Sequence, residues 1–252
     1  MNTNSWLSFY KPKPQARLRL FCFPHAGGGA SSYRLWSNAL PPEVDVCPVQ
    51  FPARENRVMD PPFDELDVLL ESLTTALMPH LDMPFAFFGH SFGALISFEF
   101  IRHLRREHGI QPVHFCVSGY QAPPITNKLP PISHLPDAEF IAGLREFDST
   151  PEAVFEHEEL MELLLPALRA DFEIYEKYEY FSEDKLDCPI SAFGGRKDPL
   201  VFEEDLQCWQ NHTNSSFAVR MFPGDHFFLH NSDRASLLEA VSDDLRQYYN
   251  HV

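Results

Sequence analysis

A chain of 252 residues, 44% hydrophobic, with 36 acidic and 20 basic side chains, carries a formal charge of −16 at pH 7. That apolar fraction is enough to core one domain of this length, which excludes a disordered chain, and the acidity argues against a nucleic-acid binder, which needs a basic face for phosphate. No apolar run reaches the roughly 18 residues of a membrane span, and residues 1–10 lack the basic and apolar regions of a signal peptide, so a cytoplasmic protein is expected.

Residues 1–16 read as a leader packed on the domain, kept extended by Pro12 and Pro14. Arg17 to Phe23 reads as a strand, ended by Pro24 and the run Gly27-Gly28-Gly29. Ser31 to Leu40 has a helical pattern that stops at Pro41-Pro42. Asp45 to Gln50 is a short strand, and Pro62 to Leu77 a helix with an acidic first turn. Phe85 to Phe88 is a buried-type strand, followed by a helix from Phe92 to Arg106 with basic residues in its last turn and Gly109 beyond. Val113–Ser118, Ile190–Phe193 and Phe217–Phe222 are further strands, and Arg234 to Tyr249 is a closing helix.

Strand and helix alternate, which implies a mostly parallel central sheet with helices on both faces. One stretch breaks the alternation. Between Gly119 and Asp187 only helical patterns occur, such as Asp137–Phe147 and Glu158–Tyr178, and so long a segment is no crossover loop. It reads as a helical lid inserted at about 120–187 in a single domain of residues 1–252. The five cysteines (22, 47, 116, 188, 208) are odd in number and scattered without C-x-x-C, as buried reduced thiols would be.

The strongest chemical signal is Gly89-His90-Ser91-Phe92-Gly93, a G-x-S-x-G between a strand and a helix. This is the nucleophile elbow, a sharp turn that needs small residues two positions either side of the serine. A serine hydroxyl becomes a nucleophile only when a base takes its proton. His226, in the loop after the last strand, is best placed, with His230 in reserve. The orienting acid should follow the preceding strand, where Asp198 stands, whereas the slot one strand earlier holds Gly119-Tyr120-Gln121 and no carboxylate. Asp225 is too near His226 in sequence for that role. An oxyanion needs two N–H donors. The backbone N–H of Phe92 is one, and that of Ala26, in the glycine-rich loop after the first strand, is the other. The same loop fits neither G-x-G-x-x-G nor G-x-x-x-x-G-K-[ST], so it is no phosphate cradle. Metal and cofactor sites are not expected: His157-Glu158 begins like H-E-x-x-H, but Met161 takes the position of the second histidine.

Several stretches together resemble the type II thioesterases that accompany modular polyketide and nonribosomal peptide synthetases, within the α/β-hydrolase superfamily. They are Phe23-Pro24-His25-Ala26-Gly27-Gly28, Gln50-Phe51-Pro52-Ala53-Arg54-Glu55-Asn56-Arg57, Gly89-His90-Ser91-Phe92-Gly93-Ala94, Leu165-Pro166-Ala167-Leu168-Arg169-Ala170-Asp171-Phe172 and Gly224-Asp225-His226-Phe227-Phe228. The resemblance implies an α/β-hydrolase fold and a free-standing editing hydrolase without cofactor. Such an enzyme clears stalled acyl groups from the phosphopantetheine arms of acyl or peptidyl carrier proteins, through an acyl-serine intermediate. The family's triad falls on Ser91, Asp198 and His226. Three positions depart from the family pattern: Ala53 stands where Gly is usual, Phe92 where Met is common, and Tyr120 where Arg often follows Ser-Gly. A general esterase or aminopeptidase of the same fold, a non-catalytic hydrolase-fold binder, or a terminal domain cut from a synthetase remain alternatives. A monomer is expected.

Residues 137–187 hold 16 acidic and four basic side chains, net −12, so most of the charge belongs to the inserted segment. Carrier proteins are commonly acidic, so this face should repel them, and Arg54, Arg57, Arg102, Arg105 and Arg106 are the candidate docking cations.

Overall fold

A computed structural model describes residues 4–124, 130–146, 155 and 157–249. Six strands form one sheet: β1 (Leu18–Phe23), β2 (Val44–Pro48), β3 (Phe85–His90), β4 (His114–Ser118), β5 (Ile190–Gly195) and β6 (Phe217–Phe222). Their order is β2-β1-β3-β4-β5-β6 and every pairing is parallel. The order reverses direction at β1, and ligand sites of such sheets lie at the carboxyl ends of the strands near that switch.

The helices are α1 (Trp36–Ala39), α2 (Leu66–Leu77), α3 (Phe92–His108), α4 (Asp137–Glu146), α5 (Glu158–Lys177), α6 (Glu203–Gln207) and α7 (Arg234–Leu245). Strand side chains alternate between faces, so β1 feeds two cores. Phe21 and Phe23 pack with Leu70, Leu73, Phe100 and Leu104 of α2 and α3, and Leu18, Leu20 and Cys22 pack on the other face with Trp36, Leu237 and Val241. Phe87 stacks on Phe100 with centroids 5.6 Å apart, which pins α3 to the strand it follows. Four of the five cysteines are buried and all are unpaired.

The stretch expected as one helix over Ser31–Leu40 is instead a 3₁₀ turn, Ala30–Tyr33, and then the single turn of α1. Ala30 donates to Gln50 Oε1 at 2.9 Å and Ser31 to Glu55 Oε1 at 3.2 Å, and the next N–H groups reach back three residues, Ser32 to Gly29 O and Arg34 to Ser31 O, both at 3.2 Å, which is the tighter 3₁₀ pattern. The leader is tied down by a Leu7–Val49 antiparallel bridge and by Tyr10 and the Lys13 N–H, both donating to Asp45. Between β4 and β5 the described residues hold α4 and α5, with a small core of their own: Ile132, Phe140, Leu144, Met161, Leu168 and Phe172. Ala26 packs against that core. The insertion therefore sits over the loop that follows β1.

Candidate active site

All five candidate residues lie beyond the carboxyl ends of strands: Ala26 after β1, Ser91 and Phe92 after β3, Asp198 after β5 and His226 after β6. Ser91 has φ +54° and ψ −119°, a backbone region that L-residues rarely occupy, and it is the residue from which α3 springs. Such strain persists only where the surroundings impose it. Here the Ser91 N–H donates to Ser118 O at 2.8 Å, and the Ser91 carbonyl accepts from Ala94 N–H at 2.8 Å. Gly93 allows α3 to dock on β1, since a Cβ there would stand 2.2 Å from Phe23 O and 2.5 Å from Pro24 O.

Asp198 and His226 form a buried pair, with His226 Nδ1 2.7 Å from Asp198 Oδ2. They are 4% and 2% exposed, so neither trades its partner for water. The other carboxylate oxygen, Oδ1, accepts from Leu200 N–H at 2.9 Å and Val201 N–H at 3.2 Å. These bonds hold the carboxylate in place. The loops carrying the two residues are zipped together, because Arg196 N–H donates to Phe222 O at 2.7 Å and Lys197 N–H to Gly224 O at 2.9 Å. Gly195 makes that approach possible, since a Cβ there would lie 2.2 Å from Asp225 O.

His226 and Ser91 flank the same peptide. Ser91 hangs on Ser118 O, and a methyl at the next residue, Gly119, would touch the His226 ring at 3.3 Å. His90, beside Ser91, has its ring 5.0 Å from that of His226. Among the described residues, neither the Ala26 nor the Phe92 N–H has a hydrogen-bond acceptor. The Phe92 N–H is one of the donors that the first turn of a helix leaves unpaired. Asp225 accepts from Phe227 N–H within its own turn, and His230 lies along Phe227 facing His25, apart from Asp198.

Sequence reasoning missed part of the site. His90 is fully buried with Nδ1 2.9 Å from Ser118 Oγ. Burial holds its pKa well below the usual histidine value, with repulsion from His226 and His25 adding to the effect. Burial likewise pushes His25 down to about 3. His90 stands next to His226, and His25 stands behind it with its ring 6.2 Å from that of His90. The motif flagged position 90 only as a free position, and nothing in a single sequence marks the neighbourhood of His25.

Two of the candidate docking arginines are corrected. Arg54 is 2% exposed and grips Asp171 of α5 with both ends of its guanidinium, at 2.6 and 3.0 Å. Arg102 is 4% exposed and pairs with Glu99 and Glu183. Neither can meet a partner's surface. Each lies against a carboxylate of its own chain, which the spacing of arginines along the sequence does not show. Arg57 lies over the Trp6 ring and pairs with Asp60, and Arg105 and the half-exposed Arg106 both pair with Glu183.

A parallel sheet with this elbow and with a buried acid–imidazole pair at the same edge defines a protein of the α/β-hydrolase class. Within that class the chain belongs to the thioesterase family, whose domain model matches residues 18–245. It is 46% identical to linear gramicidin dehydrogenase LgrE of Brevibacillus parabrevis, over 98% of this chain and 95% of that one. It is 43% identical to gramicidin S biosynthesis protein GrsT of Aneurinibacillus migulanus, over 96% and 94%. Among solved structures, the type II thioesterase BorB from the borrelidin biosynthetic cluster superposes with a TM-score of 0.86 at 38% identity, covering 96% of this chain and 98% of that one. The protein is a thioesterase.

Proposed function

We propose that the protein is an editing thioesterase, which hydrolyses acyl groups from the phosphopantetheine thiols of carrier proteins in polyketide or nonribosomal peptide synthesis. The observation that carries the reading is the 2.7 Å Asp198–His226 pair, held against the Ser118-Gly119 peptide from which Ser91 hangs. Ser91 Oγ attacks the thioester carbonyl while His226 Nε2 takes its proton. Asp198 stays ionised, fixes the imidazole with Nδ1–H toward itself and stabilises the imidazolium. The developing oxyanion is met by the N–H groups of Ala26 and Phe92. The pantetheine thiol leaves, and a water deprotonated by His226 then frees the acid from Ser91. A thiolate is a weaker base than an amine anion, so His226 has less to do as an acid here than in a protease.

The dehydrogenase in the name of the LgrE relative finds no support in these residues. The loop after β1, residues 24–29, lacks the G-x-G-x-x-G spacing with which a dinucleotide site opens. We place the enzyme in the cytoplasm, as a monomer working without a cofactor. In support, no helix among the described residues is long and apolar enough to cross a membrane. The test is a panel of acyl-loaded carrier proteins, matched free acyl thioesters and matched oxoesters. The reading expects faster release from carriers than from oxoesters, and none by Ser91→Ala. Equal turnover of oxoesters, or normal turnover by that variant, refutes it.

A further inference from the structure

The Ala26 N–H belongs to a four-residue turn, closed by Gly28 N–H donating to His25 O at 2.9 Å. Gly27, its third residue, has φ +69°, as a type II turn requires. Glycine accepts positive and negative φ almost equally, so the Ala26–Gly27 peptide could flip at little cost if nothing selected its orientation. Asp171 does select it, because the Gly27 N–H donates to Asp171 Oδ2 at 2.8 Å. A flipped peptide would aim the Ala26 carbonyl at that carboxylate, acceptor against acceptor. Leu168, one helical turn before Asp171, closes the other side: a Cβ at Gly27 would stand 2.5 Å from Leu168 Cδ2.

Asp171 is itself locked. It is 3% exposed, and Arg54 holds both its oxygens. Arg54 is fixed in turn by Nε donating to Pro52 O at 2.9 Å. Gln50 ties the same segment to the end of the glycine loop, donating to Arg54 O at 3.1 Å and accepting from Ala30 N–H at 2.9 Å. Three distant stretches therefore converge on one turn: the loop after β1, the segment after β2, and α5 of the insertion. A buried ion pair adds little net stability compared with apolar residues of the same size, so its value here lies in the geometry it imposes.

We propose that Asp171, locked by Arg54, is a positioning residue for the oxyanion loop, tying the Ala26 donor to the helical insertion. This rests on the reading of Ala26 as an oxyanion donor. A donor lowers the barrier only if it is fixed before charge develops, and the Asp171 bond to the Gly27 N–H anchors the turn at the residue next to the one that carries the Ala26 N–H. An insertion that shifts on α5 would carry Asp171 with it, so the loop is catalytically set only when the insertion is seated.

The experiment compares Asp171→Asn, Arg54→Lys and Glu99→Gln with the wild type on one acyl thioester, measuring kcat and KM separately alongside melting temperature. Glu99→Gln is the structural control, since among the described residues the polar partners of Glu99 are Arg102 and, just beyond α5, Tyr178, neither of them in the oxyanion loop. Asp171→Asn should lower kcat tenfold or more with KM within about threefold, since loss of a whole oxyanion donor costs about 10²–10³ in kcat. Arg54→Lys keeps the charge but loses the two-pronged grip, and should fall between. Glu99→Gln should keep kcat within about threefold at a comparable melting shift. A kcat for Asp171→Asn no lower than that of the control overturns the proposal and leaves the catalytic reading standing. Absence of wild-type thioester turnover overturns both.

Discussion

Asp198→Asn tests the site at its most constrained atom. The Asp198 oxygens have different work: Oδ1 accepts two backbone N–H groups, from Leu200 and Val201, and Oδ2 faces His226 Nδ1 at 2.7 Å. An asparagine must choose. With its NH₂ toward the backbone it would set donor against two donors, each left unsatisfied at a cost of about 1–3 kcal/mol. The amide oxygen therefore stays on the backbone and the NH₂ turns to His226. The imidazole can then accept at Nδ1 only by carrying its proton on Nε2, the nitrogen that must take the proton from Ser91. The variant should fold with stability within about 2 kcal/mol of wild type, since size and bond count are preserved. Its kcat should fall roughly 10⁴-fold, or about 5.4 kcal/mol of barrier, with KM little changed. Steady-state release of a thiol from an acyl thioester, followed with a thiol-reactive dye, reads this directly. A loss of less than tenfold would show that His226 takes its tautomer from something other than Asp198.

Three further outcomes follow from the packing. Gly93→Ala places a Cβ 2.2 Å from the Phe23 carbonyl, which is backbone and cannot rotate away, so urea unfolding should show a loss of about 2 kcal/mol or more. Ala53 has φ +63°, where an L side chain costs roughly 1–2 kcal/mol and glycine nothing, while glycine loses about 0.4–1 kcal/mol through unfolded-chain entropy. Ala53→Gly should therefore leave stability unchanged or raise it by up to about 1.6 kcal/mol, and a clear loss in the same assay would contradict the strain argument. His90 is buried with its pKa held below the ordinary 6.5, so its neutral form carries the stability, which is intact above 6.5 and lost as pH falls, when the unfolded chain takes a proton that the folded one refuses. His90→Leu should reduce the slope of unfolding free energy between pH 6 and 5, by up to about 1.4 kcal/mol per pH unit for one proton, and an unchanged slope would place that proton uptake elsewhere.

Much of this architecture was legible because it is local. The six strands are runs of apolar and β-branched residues bounded by Gly, Pro or charge, and β6 falls at the predicted Phe217–Phe222. The elbow was legible for a stronger reason. A strained serine between two glycines has few other uses, and the structure shows both the strain at Ser91 and the contact that demands glycine at 93. Chain order then led to Asp198 and His226, since each loop beyond a parallel strand returns to the same edge. The helix expected from Ser31 is broken into two short turns, and propensity within ten residues cannot foresee the distant contacts that hold them, such as Tyr33 donating to Phe23 O and Trp36 packing in the core beside it.

Charge was the least legible feature. A formal charge treats every arginine as a surface cation, yet Arg54 and Arg102 are buried against carboxylates of their own chain. The Arg54–Asp171 pair spans 117 positions, and no periodicity links residues so far apart. Both halves lay in stretches that marked the family resemblance, Gln-Phe-Pro-Ala-Arg and Leu-Arg-Ala-Asp-Phe, without any physical reason for their joint presence. The structure supplies one: Arg54 and Asp171 grip each other, and Asp171 accepts from Gly27 N–H in the turn that carries the Ala26 N–H. The inserted segment's net −12 thus includes one carboxylate, Asp171, turned inward and already neutralised by Arg54. A carrier protein approaching that face would meet the remaining acids, while Arg54, buried against Asp171, is turned away from any partner.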